Sequence, residues 1–370
     1  MKLERITQNQ ILMFFILYYF STQLGFAFGP LVSLSQYDTW LSLCFGGLGG
    51  VILAYFTVKL ANRNANEFFV HFGRKILPVW IHIPLMCILF FFFLHLGSII
   101  IREYEDFMVQ NYLPSTPNAA VGIMFAMVIA ITVRTGIETL FRTAQGLFFL
   151  IITAVILQYF LVMNEFEWNR WMAFVTNHQI KGMFKGSYTT TPWFGEIILL
   201  IFFFPFIAEK EKTLKSIMWA TIFSTIILIC TTVSLLFLFG PNLASHLTYP
   251  VLEIIRFVRI ADFIENLDPL LVAIWSTTVF LKVGILLYVS TLILSQLFNL
   301  KDYRPLVFSL TLVMITMSLQ MGENTAELND FFQNSWTTFA YFVEIIPLLY
   351  FFIDKIKNYF QKKVSHKNLN

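Results

Sequence analysis

The chain has 370 residues, of which 57% are hydrophobic and 13% charged, and its mean hydropathy is +0.71. A soluble domain carries about 25% charged residues, so this composition excludes water as the main solvent. The net charge is only +3, and its lysines and arginines lie between apolar runs instead of forming one basic patch. The composition therefore argues against nucleic acid as a partner and predicts an all-α integral membrane protein.

Ten apolar runs follow one another along the chain. A helix needs about 20 mostly apolar residues to cross the hydrocarbon core. No soluble domain fits between the runs, so we expect a single transmembrane domain over residues 1–370. The predicted spans are 11–33, 38–60, 78–101, 118–133, 143–163, 184–207, 214–239, 269–298, 305–321 and 335–353.

Positive charge predicts the orientation of these helices. Most of the 25 lysine and arginine residues fall on the side of the N-terminus, and that side is cytoplasmic in most membrane proteins. We therefore expect both termini in the cytoplasm, with residues 356–370 as a basic cytoplasmic tail. The long outer loops 164–183 and 240–268 carry apolar residues at helical spacing, which predicts surface helices. Plain connecting loops are the alternative.

Two runs contain residues that disturb a helix. The first run has GFAFGP at 25–30 and the sixth has TTTPWFGE at 189–196. Glycine loosens a helix and proline removes a backbone donor, so both segments are candidates for local unwinding. Such interruptions at matching places of two halves, here about 8–165 and about 180–355, are typical of five-plus-five inverted-repeat transporters. Two kinked helices that merely pack well are the alternative.

Three charged residues lie deep in apolar runs: Glu196, Lys282 and Glu344. Each is about 9 to 13 residues from the outer end of its helix, which at about 1.5 Å per residue places it near mid-membrane. A lone charge there costs at least about 2.5 kcal/mol, so we expect Lys282 to pair with Glu196 or Glu344. The Lys282 ammonium could occupy the position that a coupling cation takes in related transporter folds. A purely structural ion pair is the alternative.

Small hydroxylated residues precede Lys282 in the eighth run. Among them, Thr277 is a candidate for the lining of a pocket, although such residues also serve helix packing. The sequence contains no P-loop, HExxH or GxSxG motif and no Cys/His constellation. We therefore expect no catalytic residues, no metal site, no cofactor and no enzymatic activity.

Several stretches carry a specific resemblance. The chain resembles the B subunits of the Ger-type nutrient germinant receptors of bacterial endospores, which belong to the amino acid/polyamine/organocation transporter superfamily. The stretches are QYDTWLS at 36–42, REYEDF and LPSTP within 102–117, FGE at 194–196, YPVLEIIRFVRIADFIENLDPLLVAIW at 249–275, VFLKVGILLYV at 279–289, LFNLKDYRPLVFSL at 297–310 and FVEIIP at 342–347.

This resemblance implies a LeuT-like fold of about ten helices, with helices one and six broken. It also implies a small germinant such as an amino acid, sugar or nucleoside, and assembly with a membrane A subunit and a lipoprotein C subunit in the spore inner membrane. Glu196 and Lys282 would set the polarity of the site or tie the moving helices to the scaffold. The residues implied around the ligand are Gly25, Phe26, Ala27, Gly29, Trp193, Phe194 and Gly195.

Three functions are consistent with this reading. The first is a sensor, in which ligand binding favours one arrangement of the helices and the change passes to partner subunits. The second is an active transporter of an amino acid or another solute. The third is a structural assembly protein with a vestigial pocket, which leaves the buried charges without a role at a ligand.

Overall fold

The computed structural model describes residues 4–23, 27–256, 268–322, 327 and 330–367. Almost all of them are helical, and the extended pairing in these ranges is one isolated parallel bridge between Ile6 and Ile207. The helices are α1 Gln8–Phe20, α2 Phe28–Ser35, α3 Thr39–Arg63, α4 Phe69–Ile76, α5 Val79–Asn111, α6 Asn118–Thr135, α7 Ile137–Val162, α8 Trp171–Thr176, α9 Ile180–Gly195, α10 Leu200–Phe203, α11 Thr213–Ala244, α12 Pro250–Arg256, α13 Asp268–Leu297, α14 Arg304–Gln320, α15 Thr337–Glu344 and α16 Ile346–Lys367.

The helices follow the predicted order of membrane spans. Within the described ranges, eight helical segments are long and apolar enough to cross a membrane. α14 is apolar but shorter, with 17 residues, and α1 has 13 residues and is separated from α2 by a break. These two complete the predicted set of ten, and the all-α membrane class is confirmed.

The first span is discontinuous. α1 starts with a capping box, in which Thr7 and Gln10 exchange side-chain and backbone hydrogen bonds. After Phe20 the chain forms a 3₁₀ turn over Ser21–Gln23, and α2 begins only at Phe28. Because Pro30 falls in the first turn of α2, its missing N–H costs no helical hydrogen bond. The predicted interruption of helix one is therefore confirmed.

The sixth span is interrupted as well, at a slightly later residue than the proline. α9 runs through Pro192 to Gly195, and a 3₁₀ segment over Glu196–Leu199 follows it. α10 then ends at Phe203, just before a second 3₁₀ turn that contains Pro205. Tight i→i+3 turns replace regular helix at the residue that carries the buried carboxylate.

The third span is longer than predicted. Its apolar run ends near residue 101, and the predicted spans leave the following REYED stretch between two helices, but α5 continues to Asn111. Three of the four charged residues in this stretch have partners. Arg102 Nε lies 3.0 Å from Asp106 Oδ2 one turn later, and Ser318 of α14 donates to Glu105 Oε1 over 3.0 Å. Pairing within α5 and with α14 thus accompanies the extension of the helix beyond the hydrophobic run.

The outer connections contain short helices. α8 lies in the first long connection and α12 in the second, so the predicted surface helices are present there in part; residues 257–267 lie outside the described residues. α11 reaches Ala244 only after a kink at Gly240, whose φ of 66° is in the left-handed region. Glycine adopts this region without strain, which lets the chain turn before Pro241.

Close contact between α3 and α9 fixes the sixth span against the second. A Cβ added at Gly46 would lie 2.4 Å from the Thr190 hydroxyl, and one added at Gly50 would lie 2.3 Å from Phe194 Cβ. Glycines spaced four residues apart lie on one helix face and allow two backbones to approach in lipid. This crossing holds the C-terminal part of α9 in place, directly before the break at Glu196.

Candidate functional site

A cavity of about 90 Å³ lies between the two helix breaks, α5, α13 and α15. One water needs roughly 10–15 Å³ of such space, so the cavity holds several waters or a compact solute. Its lining residues are Ser21, Thr22, Ala27, Pro30, Phe92, Leu96, Ile99, Ile100, Glu103, Thr189, Pro192, Trp193, Glu196, Lys282, Trp336, Thr337, Ala340 and Glu344.

The three predicted mid-membrane charges meet at this cavity. Lys282 Nζ lies 2.9 Å from Glu196 Oε2, donates to Thr22 Oγ1 over 3.3 Å and sits 4.8 Å from the centroid of the Tyr18 ring. The side chains of Lys282 and Glu196 are only 5% and 8% exposed. The predicted pairing of Lys282 is therefore found with Glu196, and it links α13 to both breaks.

Glu344 also lines the cavity, but it does not share this pairing. It is 1% exposed, and neither carboxylate oxygen has a hydrogen-bond partner among the described residues. A buried polar group without a partner is costly in a low-dielectric interior, so these atoms need water, a proton or a ligand.

The helix breaks themselves are supported by side chains. Unwinding frees backbone carbonyls, and each must find a donor inside the membrane. The Trp275 indole donates to Ser21 O over 3.0 Å, and the Tyr19 hydroxyl donates to Phe194 O over 3.2 Å. Trp275 comes from α13 and Tyr19 from α1, so each break is held by a neighbouring helix.

Of the residues implied around a ligand, Ala27 and Trp193 line the cavity. Gly25 and Phe26 lie outside the described residues. Gly29 faces elsewhere, because a Cβ there would lie 2.9 Å from the backbone oxygen of Leu247.

The other three implied or predicted residues serve the site indirectly or not at all. The Phe194 ring is fully buried away from the cavity, against α1 and α3. Gly195 leaves room for Glu344, since a Cβ there would lie 1.8 Å from its Oε2. The Thr277 hydroxyl donates to Ala273 O, one turn earlier in its own helix, and does not line the cavity.

Glu103 lines the cavity and was missed by sequence reasoning. It lies in a charged stretch just beyond residue 101, where the predicted third span ends. A signal was present, since Leu96, Ile99, Ile100 and Glu103 recur at i, i+3, i+4 and i+7 and therefore share one helix face. The cavity thus contains three carboxyl groups and one ammonium group.

An aromatic wall closes one side of the cavity. Trp336 stacks on Phe92 at 5.3 Å between ring centroids and on His95 at 5.1 Å. Trp336 ends a π-helical turn over Phe332–Trp336, a rare geometry that is frequent at functional sites. Across the described part of the chain, no cluster of three or more His, Cys, Asp or Glu side chains could hold a metal ion.

Comparison with known proteins identifies the family. A family model described as spore germination protein matches residues 5–326, which is most of the chain. The chain belongs to the spore germination protein family. Spore germination protein KB of Bacillus subtilis (strain 168) is 22% identical over 335 residues, covering 89% of both chains. Spore germination protein XB of Bacillus anthracis is 24% identical over 260 residues, covering 70% of this chain and 72% of that protein.

Solved structures confirm the fold of this family member. The nucleobase-cation-symport-1 family transporter MHP1, closed with bromovinylhydantoin bound, matches 94% of this chain and 77% of its own, with a TM-score of 0.65 and 11% identity. MhsT in complex with L-phenylalanine matches 91% and 88%, with a TM-score of 0.64 and 14% identity. The predicted LeuT-like fold of about ten helices, with helices one and six broken, is therefore confirmed.

Proposed function

We propose that this chain is the ligand-binding membrane subunit of a nutrient germinant receptor. The cavity between the two helix breaks takes a small germinant such as an amino acid, sugar or nucleoside. Membership of the spore germination family supports the biological role, and the cavity supports binding of a small solute. Its location would be the spore inner membrane, with both termini in the cytoplasm.

The single observation that carries this proposal is that the Glu344 carboxylate is buried without a hydrogen-bond donor among the described residues. A structural carboxylate would be paired, but Glu344 lines the cavity and neither of its buried oxygens has a donor in the described part of the chain. Amines and hydroxyls are donors, and amino acids, sugars and nucleosides all carry them. Glu103 and Glu344 would therefore receive the polar end of the ligand, while Trp193 and Trp336 would cover its apolar part.

Lys282 and Glu196 would couple ligand binding to helix movement. Their pair joins α13 to the break of the sixth span, and Thr22 adds the first break to the same contact. A ligand that contacts these breaks can favour one arrangement of the helices only if it binds the two arrangements with different affinities. The change would then pass to the membrane A subunit and the lipoprotein C subunit.

Thermal unfolding of the purified full-length protein tests the proposal. A ligand at 100 times its dissociation constant stabilises a protein by about 2.7 kcal/mol. We expect one class of single nutrients to produce such a shift in the parent, and Glu344→Gln to reduce it. A complete absence of shifts across amino acids, sugars and nucleosides would favour the structural protein with a vestigial pocket.

Active transport is the second candidate, because the fold is that of solute transporters. Reconstitution into liposomes separates the two functions. A receptor should bind the stabilising nutrient without stoichiometric uptake, whereas a transporter should accumulate it when an ion gradient is imposed. Copurification of an A subunit and a lipoprotein from spore membranes would test the proposed assembly.

A further inference from the structure

A surface groove lies between the end of α4, the start of α5 and residues 353–357 of α16, outside the site described above. It is at the end of the helix bundle where α3 ends. Arg63 of α3 pairs with Asp354 of α16 there, and the Gln8 side chain donates to Glu209 O. By the distribution of basic residues, this end is predicted to face the cytoplasm.

The groove is basic. Arg74, Lys75 and Lys357 line it, and none of its lining residues is acidic. Lys357 Nζ donates to Lys75 O over 2.7 Å, and one carboxylate, that of Glu67, lies 2.7 Å from Lys75 Nζ outside the groove. Arg74 Nε is buried and has no hydrogen-bond partner in the described ranges. The groove thus contains more cationic hydrogen-bond donors than there are acceptors around them.

The floor of the groove is apolar and continues into the membrane. Leu77, Ile353 and Ile356 lie beneath the basic residues. Further along α16, Phe352 and Leu349 are 46% and 43% exposed on the lipid side. The groove therefore offers cationic groups at one end and a continuous apolar track at the other.

The depth of the groove corresponds to the membrane interface. Trp80, two residues after the groove residue Pro78, is 76% exposed at the beginning of α5. Exposed tryptophan at the end of a membrane helix is typical of the headgroup level, where its ring lies in lipid and its N–H meets water. A molecule in this groove would therefore sit with its polar part at the headgroups.

We propose that this groove binds an anionic phospholipid of the adjoining leaflet. The phosphate lies against Arg74 and Lys357, and an acyl chain follows Ile356, Phe352 and Leu349 along α16. Basic pockets beside membrane helices on the cytoplasmic side bind anionic headgroups by this combination of charge and apolar contact. The lipid would fix α4 against α16 and so anchor the end of the tenth span.

Native mass spectrometry of the full-length protein tests this site. The protein in detergent is titrated with phosphatidylglycerol or with zwitterionic phosphatidylcholine, and the bound lipids are counted. We expect about tenfold tighter binding of phosphatidylglycerol by the parent. Arg74→Gln combined with Lys357→Gln should weaken phosphatidylglycerol binding about tenfold and leave phosphatidylcholine binding unchanged.

The matched control removes one arginine and one lysine outside the groove, Arg142→Gln and Lys215→Gln. This variant has the same net charge as the test variant and should bind phosphatidylglycerol like the parent. If the test variant does not fold, the single change Lys357→Gln at an exposed residue replaces it and should still weaken phosphatidylglycerol binding, whereas Lys215→Gln alone should not. Equal binding of the two lipids by the parent, or equal losses in test and control variants, would overturn the proposal.

Discussion

At the scale of single residues, the ion pair of Lys282 and Glu196 sets the first test. Removing one partner of a buried pair leaves an uncompensated charge and typically costs about 3–5 kcal/mol. We expect Lys282→Met to lower the free energy of unfolding by this order. The double variant Lys282→Met with Glu196→Gln should recover most of the loss, because no unpaired charge remains. Thermal unfolding in detergent measures both.

An exposed lysine provides the control for this test. Lys185 lies on the surface of α9, and the change Lys185→Met should alter stability by less than about 0.5 kcal/mol. If the double variant is as unstable as Lys282→Met alone, the pair does not account for the loss. The lysine would then matter through its contact with Thr22 or with the Tyr18 ring.

A second residue-scale prediction concerns pH at the beginning of α9. Asp38 is 1% exposed and accepts from His178 Nδ1 over 3.0 Å; the hydrogen bond and charge of Asp38 raise the pKa of His178 above its usual value. Because the folded pKa is raised, this contribution to stability is complete below pH about 6.5 and is lost as pH rises through the raised pKa.

We therefore expect His178→Gln to remove part of the stability difference that the parent shows between about pH 5.5 and pH 8.5. Melting curves at the two pH values measure the difference. His246→Gln is the control, since His246 is exposed and its ring bonds to the Asn242 carbonyl and the Ser245 hydroxyl instead of a carboxylate. The interpretation is wrong if both variants keep the parent's pH dependence.

The site residues differ in how far the sequence could predict them. The sequence indicated Glu196, Lys282 and Glu344, because a charged residue inside an apolar run costs free energy unless it has a partner or a wet cavity. Glu103 was hidden because its neighbours are charged as well, and only the extension of α5 turns it inward. The prediction that Thr277 lines the pocket was wrong, because a hydroxyl in a membrane helix can donate its hydrogen bond to a carbonyl of the preceding turn.

At the scale of helices, the crossing of α3 and α9 gives the third prediction. Gly50→Ala places a methyl group 2.3 Å from Phe194 Cβ and 3.3 Å from its Cα, so the two backbones must separate. Overpacking of this kind typically costs about 1–3 kcal/mol. We expect Gly50→Ala to destabilise the protein by that amount, measured by thermal or chemical unfolding.

Gly146 supplies the matched control for the crossing. A Cβ added there meets nothing within 4 Å, so alanine should stabilise α7 by about 0.5–1 kcal/mol through its better helix propensity. Opposite signs for the two glycine-to-alanine changes are the expected result. Similar effects at both positions would mean that the close approach of α3 and α9 does not limit stability.

Helix breaks were predictable from glycine and proline, but their positions were not. In the sixth span the helix passes through Pro192 and gives way only at Glu196. The Phe194 carbonyl at this break accepts from Tyr19, and the Ser21 carbonyl at the first break accepts from Trp275; each donor lies far from its acceptor in sequence. Local propensity therefore indicates where a helix is weak, while tertiary hydrogen bonds decide where it opens.

At the scale of the whole molecule, the position of the ligand can be tested by filling the cavity. Ala340 of α15 is 1% exposed and lines the cavity of about 90 Å³. Ala340→Leu adds three carbons to this space and leaves the ion pair and Glu344 unchanged. We expect the variant to lose most of the nutrient-induced stabilisation of about 2.7 kcal/mol that the parent shows at 100 times the dissociation constant.

The same substitution on the lipid-facing surface isolates the effect of the cavity. Ala273 of α13 is exposed, and Ala273→Leu should leave the nutrient-induced shift at the parent value. Each shift is measured against the variant's own unfolding temperature, so a general change in stability does not enter the comparison. Because the cavity adjoins both helix breaks, its filling should also prevent the nutrient from triggering germination in spores that carry Ala340→Leu. A full thermal shift in Ala340→Leu would place the ligand elsewhere in the protein.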